Sequence, residues 1–213
     1  MPVIISGTDN FVLNADSLGT AAAGAFDYDG KVFYATPQGT QRGVVPGAQF
    51  FRLDSGLAGA NVNTAQSTFG VGVTLSSSTV YAFEAVTVFS KSAGTTSHTF
   101  GLGFGGTATL NNLSYQPVWT RSATSLTDLT VNALIWYITT ASNTTFGAAT
   151  TTAAMNYTFT VKGTVSINAG GTFTPQYTLS AAPGGAYTTA AGSYFLIYPI
   201  GASGANVNVG TWA

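Results

Sequence analysis

Apolar and polar positions alternate with a period of two through much of the chain, the mark of half-buried strands. Tyr157 to Asn168 is the cleanest stretch. Tyr157, Phe159, Val161, Gly163, Val165 and Ile167 alternate with Thr158, Thr160, Lys162, Thr164, Ser166 and Asn168. Ala169-Gly170-Gly171 then turns the chain into Thr172 to Leu179. This pair is expected to form a hairpin, with Pro175 setting its second strand at a sheet edge or a bulge. Thr79 to Ser90 carries Tyr81, Phe83, Ala85, Thr87 and Phe89 on one face and Val80, Ala82, Glu84, Val86 and Val88 on the other. Both faces are largely apolar, which predicts a central strand covered on two sides. Ser193 to Ile200 is likewise apolar on both faces. Further strands are expected at Thr68 to Leu75, Ser97 to Thr109, Tyr115 to Arg121, Leu126 to Thr139 and Asn206 to Trp212. Asn111-Asn112 reads as a turn and Ala141 to Ala153 as a Ser/Thr/Ala loop. About eight strands result, and two four-stranded sheets packed face to face, a jelly roll, close them naturally.

The stretch Gly24 to Pro46, GAFDYDGKVFYATPQGTQRGVVP, stands apart from this body. Phe26 and Tyr28 run into Asp29-Gly30, and Val32, Phe33 and Tyr34 run out. Asp-Gly suits a two-residue type I′ turn with φ > 0 at both centre positions, so a β-hairpin is expected. Thr36-Pro37 and Val45-Pro46 stop regular pairing, because proline offers no N–H to a ladder. Ahead of the hairpin, Val3-Ile4-Ile5 and Phe11-Val12-Leu13 are short apolar runs on a polar string. Such segments cannot form a core of their own. They read as strands that add to a partner sheet, on an arm that could extend roughly 75 Å. The organisation expected is an extended arm over 1–23, a hairpin joint over 24–55 and a jelly-roll domain over 56–213.

Composition sharpens the picture. Of 213 residues, six are Lys or Arg and seven Asp or Glu, a formal net charge of −1. An average soluble domain has roughly a quarter of its residues charged. Nothing here would draw in nucleic acid or an anionic membrane. Low charge suits a protein packed against other proteins better than a free monomer. No cysteine is present, so there is no disulfide, thiolate nucleophile or Cys-bound metal. The first residues, MPVIISGTDN, carry no basic and apolar leader pattern. No run of about eighteen apolar residues exists to span a membrane.

Candidate chemistry is sparse. From Gly56 onward the titratable groups are Glu84, Asp128, Lys91, Arg121, Lys162 and His98. His98 in a Ser/Thr context reads as a polar loop residue, and no Gly-x-Ser-x-Gly elbow supports a triad. Glu84 among valines reads as a paired or partly exposed structural carboxylate. Asp27 and Asp29 lack the further ligands of a Ca²⁺ loop. Trp119, Trp136, Tyr115 and Tyr177 read as core or subunit seam, with a sugar-stacking platform as the rival. No enzyme activity and no cofactor are expected.

AGAFDYDGKVFYATPQGTQRGVVP resembles a segment that recurs in virion structural proteins of tailed bacteriophages. There a similar Tyr-Asp-Gly hairpin and an Arg-Gly-Val-Val/Ile-Pro stop precede a C-terminal β-sandwich. A weaker similarity continues through VYAFEAVTVFS, FGLGFGGTATL, YTFTVKGTVSINAGGTFTPQYTLS, GSYFLIYPIG and VNVGTWA. The resemblance implies a trimeric, TNF/C1q-like jelly roll in a virion, made in the host cytoplasm. Only about twenty-three residues precede the hairpin, too few for a long shaft. The leading expectation is therefore a capsid decoration (cement) protein, partnered by itself and by the major capsid protein. The residues expected to contact the capsid are Val3, Ile4, Ile5, Phe11, Val12, Leu13, Phe26, Tyr28, Phe33 and Arg42. The rival is a tail fibre or spike protein that binds a host surface glycan.

Overall fold

The computed structural model describes Leu13, Ala15 and residues 17–122, 134–135 (backbone), 137–204 and 206–212. These residues are all-β, with antiparallel pairing throughout and no helix. In chain order the strands are β1 (Phe26–Tyr28), β2 (Phe33–Ala35), β3 (Gly43–Val45), β4 (Gln49–Arg52), β5 (Leu57–Ala58), β6 (Gln66–Ser67), β7 (Val73–Leu75) and β8 (Thr79–Lys91). They continue as β9 (His98–Gly105), β10 (Thr109–Ser122), β11 (Leu134–Ile135), β12 (Thr144–Thr150), β13 (Met155–Ala169), β14 (Gly171–Leu179), β15 (Thr188–Thr189) and β16 (Tyr194–Ala202).

Three sheets result. A small one runs β1-β2-β3. The largest runs β11-β10-β13-β8 and continues on one side of β8 through β16 to β4, with the short β15 and β5 further along. The third runs β12-β9-β14, where β14 is flanked by β6 and β7. The two larger sheets pack face to face through an aromatic layer, a β-sandwich arrangement. Phe100 of β9 lies 4.9 Å from Phe89, 4.6 Å from Tyr157 and 5.7 Å from Phe159, ring centre to ring centre, all on the opposite sheet. Phe104 meets Phe83 at 5.3 Å and Tyr115 at 5.2 Å in the same way. Offset and edge-on aromatic pairs add stabilisation beyond the area they bury. Gly163 sits on this inner face without a side chain. A Cβ there would fall 2.8 Å from the Phe83 ring and 2.4 Å from Ser114 O, so the glycine is what lets the strands and that ring close up.

Several expected elements differ, each for a physical reason. Asp29-Gly30 does not centre the hairpin turn. Only Gly30 has a positive φ (87°), and Asp29 N donates to Val32 O at 3.4 Å, which moves the centre to Gly30-Lys31. Asp29 instead caps the turn, its carboxylate accepting from Lys31 N and Val32 N at 2.8 Å each. Thr68 to Leu75 is not one strand. Gly70 at φ 74° breaks it, leaving β6 and β7 on either side of a buried Phe69. Asn111-Asn112 is not a turn but an irregular part of β10, where the register against β13 shifts. Ala141 to Ala153 is not all loop, because β12 pairs with β9 and buries Phe146. Of Leu126 to Thr139, the described part contains β11 and a bridge from Ile138 to Tyr115. Asn206 to Trp212 forms no strand.

The expected Tyr157–Leu179 hairpin is also absent. β13 pairs with β10 and β8, whereas β14 pairs with β9, β6 and β7 in the other sheet. Ala169-Gly170-Gly171 is thus a crossover between sheets. Pro175 occupies the point on β14 where β6 ends and β7 has not begun, a gap in the ladder that suits a residue without an N–H. The sandwich comprises thirteen strands rather than about eight, in sheets of eight and five among the described residues. β8 is central, but only its Tyr81–Phe89 face is buried; the Val80–Val88 face is half-buried.

Candidate assembly surfaces

The small sheet has two unlike faces. Cross-strand register aligns Tyr28, Phe33 and Val45 in one row and Phe26, Ala35 and Gly43 in the next. The Tyr28 and Phe33 rings stack at 4.6 Å, and Phe26 and Phe33 at 5.8 Å. Phe26 is 49% exposed and Phe33 41% exposed, so the ridge is largely in solvent. Burying such a side chain is worth about 1.5–3 kcal/mol.

The other face of this sheet holds its polar frame. Arg42 Nη2 lies 3.0 Å from Asp27 Oδ2 and donates to Gly19 O at 2.7 Å, so this guanidinium ties the preceding segment to the hairpin. Tyr34 is buried and donates to Asp29 Oδ2 at 2.9 Å. Burial, then the bond to Asp29, pushes the Tyr34 hydroxyl up to about 12. Burial also acts to raise the Asp29 pKa, but the donors Val32 N, Lys31 N and Tyr34 Oη together outweigh it and hold the carboxyl below its ordinary value. A depressed carboxylate adds stability that is complete above its unfolded pKa of 3.8 and is lost as the pH falls through the folded value. Asp29→Asn should therefore be less stable than the parent at pH 6, and the two unfolding midpoints should converge as the pH falls through the folded value. Denaturant titrations at a series of pH values check this. Lys31 Nζ donates to Ser77 O at 3.0 Å and links the hairpin to the sandwich.

Leu13 is half-buried. Val3, Ile4, Ile5, Phe11 and Val12 lie outside the described residues. The structure thus brings Phe26, Tyr28 and Phe33 together on one apolar ridge and engages Arg42 in internal contacts on the opposite side.

A second surface was not foreseen as such. The outer face of the largest sheet carries parallel cross-strand rows. One is Phe50-Leu196-Glu84-Lys162-Gln116 and the next is Arg52-Tyr194-Val86-Thr160-Val118. The β4–β16–β8 half is mostly apolar, with Phe50, Leu196, Tyr198, Val80 and Val86 beside the exposed Arg52. The β13–β10 half carries Thr158, Thr160, Thr164 and Gln116. Glu84 marks the border, accepting from Tyr194 Oη at 2.7 Å and lying 3.0 Å from Lys162 Nζ. The Tyr194 bond first, and Lys162 next, hold its carboxyl below the ordinary range. The signal for this face was the two-sided apolar pattern of Thr79 to Ser90.

The remaining titratable groups serve the fold. His98 is fully buried at the start of β9 rather than in a loop, bonded to Thr96 O at 2.7 Å and Tyr187 Oη at 2.9 Å. Burial lowers its pKa. Lys91 is buried too, its ammonium donating to the carbonyls of Ala93, Gly94, Thr152 and Ala153 at 2.6–3.3 Å. These acceptors compensate a desolvated charge. Trp119, Tyr115 and Tyr177 are core residues and offer no platform, while Trp136 and Asp128 lie outside the described residues. Among the described residues no group of three or more acidic or histidine side chains could hold a metal ion, and no helix is long and apolar enough to cross a membrane.

Comparison with protein-family models, with curated proteins and with solved structures gave no match. What these two surfaces offer chemically is mainly apolar contact.

Proposed function

We propose that this chain is a bacteriophage virion structural protein, a trimeric capsid decoration protein that clamps neighbouring capsid subunits through its N-terminal arm. The exposed Phe26-Tyr28-Phe33 ridge carries the reading. It is an apolar face left largely exposed among the described residues, at the point where the arm joins the body. Such a face is costly in a free monomer and useful in an assembly. The fold is read as a jelly roll of TNF/C1q-like type. In support, successive long strands alternate between the sheets, with β4-β16-β8-β13 in one and β7-β14-β9-β12 in the other. The half-apolar outer face of the larger sheet is read as the surface through which three copies meet.

Deleting residues 1–23 should abolish binding to empty shells while leaving the number of chains per oligomer unchanged. Co-sedimentation with shells and light scattering measure the two. A truncated protein that still decorates shells would overturn the clamping role.

One observation favours the rival reading of a tail protein that binds a host glycan. A broad depression of about 810 Å³ is lined by the amides and hydroxyls of Asn111, Asn112, Asn206, Thr164 and Ser166 together with apolar Val80, Ile200 and Val207, a mixed lining that suits a sugar. Glycan-array binding that is lost in Asn112→Ala would shift the assignment to the tail.

A further inference from the structure

At one side of the sandwich both larger sheets end on short strands. Among the described residues β4 pairs with β16 alone and β7 with β14 alone, which leaves one edge of each unpaired. Between them lies an apolar groove of about 340 Å³. Phe69 and Phe195 form its floor, their rings 6.3 Å apart and both nearly fully buried. Phe51 and Val71 form its rim, 40% and 49% exposed. Two unpaired strand edges beside an apolar floor make a receptor for one more extended strand. The main chain would supply pairing, and alternate side chains would fill the groove.

The arm begins close by. Ala15 packs against Gly30, its Cβ 3.1 Å from where a Gly30 Cβ would stand. Gly30, Tyr28, Lys31 and Gln49 border a smaller depression, and Gln49 also borders the apolar groove. From Leu13 back to Ile4 an extended chain covers about 30 Å. Val3-Ile4-Ile5 is a run of β-branched residues, the type that fits a pleated, half-buried surface.

We propose that, in the free protein, the groove between β4 and β7 is the docking site of this chain's own segment Val3–Ile5, which adds as a strand to the β4 edge. Docking shields Phe51 and Val71 until the arm is drawn away. The inference concerns the unassembled protein and does not rest on what the arm binds in an assembly.

The chain has no cysteine, so an engineered pair reports without background. In the full chain, Ile4→Cys with Val71→Cys should oxidise to an intrachain disulfide, seen as a faster band on a non-reducing gel and as linked peptides by mass spectrometry. It should form about ten-fold or more faster than the control pair Ile4→Cys with Thr145→Cys, because docking raises the local concentration of one thiol at the other. Thr145 is exposed on β12, at the far end of the third sheet from β7. Equal rates for the two pairs would overturn the proposal. So would a predominance of interchain links, which would assign the segment to a neighbouring copy. As a second reading, Ile4→Asp should speed amide exchange at Phe50 to Arg52 relative to the parent. Unchanged exchange there would also count against docking.

Discussion

Phe100→Ala should lower the unfolding free energy by about 3–5 kcal/mol, the range for truncating a buried aromatic in a packed core. Phe100 is fully buried. Its ring touches Phe89, Tyr157 and Phe159 on the opposite sheet and stacks on Tyr177 of its own sheet at 5.5 Å. Tyr187 closes against its edge at 5.2 Å. The cavity left by the ring would be walled by five other rings, none of which can swing in without breaking its own contacts. For a chain of this size each kcal/mol shifts the melting point by roughly 2–4 °C, so a fall of roughly 6–20 °C is expected by calorimetry. A loss below about 1 kcal/mol would mean that the two sheets can collapse onto the site and that the aromatic layer is not the principal tie between them.

Val86→Lys should convert the proposed oligomer into monomers without unfolding it. Val86 lies in the middle of the row Arg52-Tyr194-Val86-Thr160-Val118 on the outer face. Its side chain points away from the core and is half-buried by its own sheet neighbours, so a lysine there can extend into solvent in the monomer. In an interface the same ammonium would be desolvated. Lys162 stands in the neighbouring row, and Glu84, the nearby carboxylate, is already bound to Lys162 and Tyr194. An unpaired buried charge costs several kcal/mol and would be met once per subunit. Sedimentation velocity should show the mass fall to that of a single 21.7 kDa chain, with the far-ultraviolet spectrum unchanged. An unchanged oligomer would place the subunit contact elsewhere.

What was legible in the sequence was mostly the faces of strands. The alternation in Tyr157 to Asn168 and in Thr79 to Ser90 fixes which side chains point inward, and those residues line the aromatic layer. Pairing partners were not legible in the same way. Ala169-Gly170-Gly171 looks like a hairpin turn, yet it carries the chain across to the other sheet, because both β13 and β14 bury one face against the same core from opposite sides. Local turn chemistry sets where a chain bends and leaves open which edge it finds next. The polar run Ala141 to Ala153 concealed β12 because only Phe146 and Thr150 of that strand are buried. Its pairing partner is glycine-rich. Gly101 and Gly103 of β9 have no side chains, and the Ala141–Asn143 backbone and side chains fill that space. His98 was misread for a related reason: its Ser/Thr neighbours suggested a loop, but the ring is held between Thr96 O and Tyr187 Oη inside the sandwich.

The candidate surfaces were legible unevenly. Phe26, Tyr28 and Phe33 stood out as an aromatic hairpin, and the register does set them on one face. Arg42 stood out equally, but its chemistry is spent on Asp27 and Gly19. The β4–β7 groove had no signature, because its floor and rim come from four separate stretches, Gln49–Phe51, Phe69–Thr74, Pro175 and Phe195–Ile197. Only the sheet topology brings them together.

The most direct test of the central claim is the copy number of this chain in purified phage particles, measured against the major capsid protein by quantitative mass spectrometry. A role across the shell predicts a ratio within a few-fold of the capsid protein. A handful of copies per particle, or none, would contradict it.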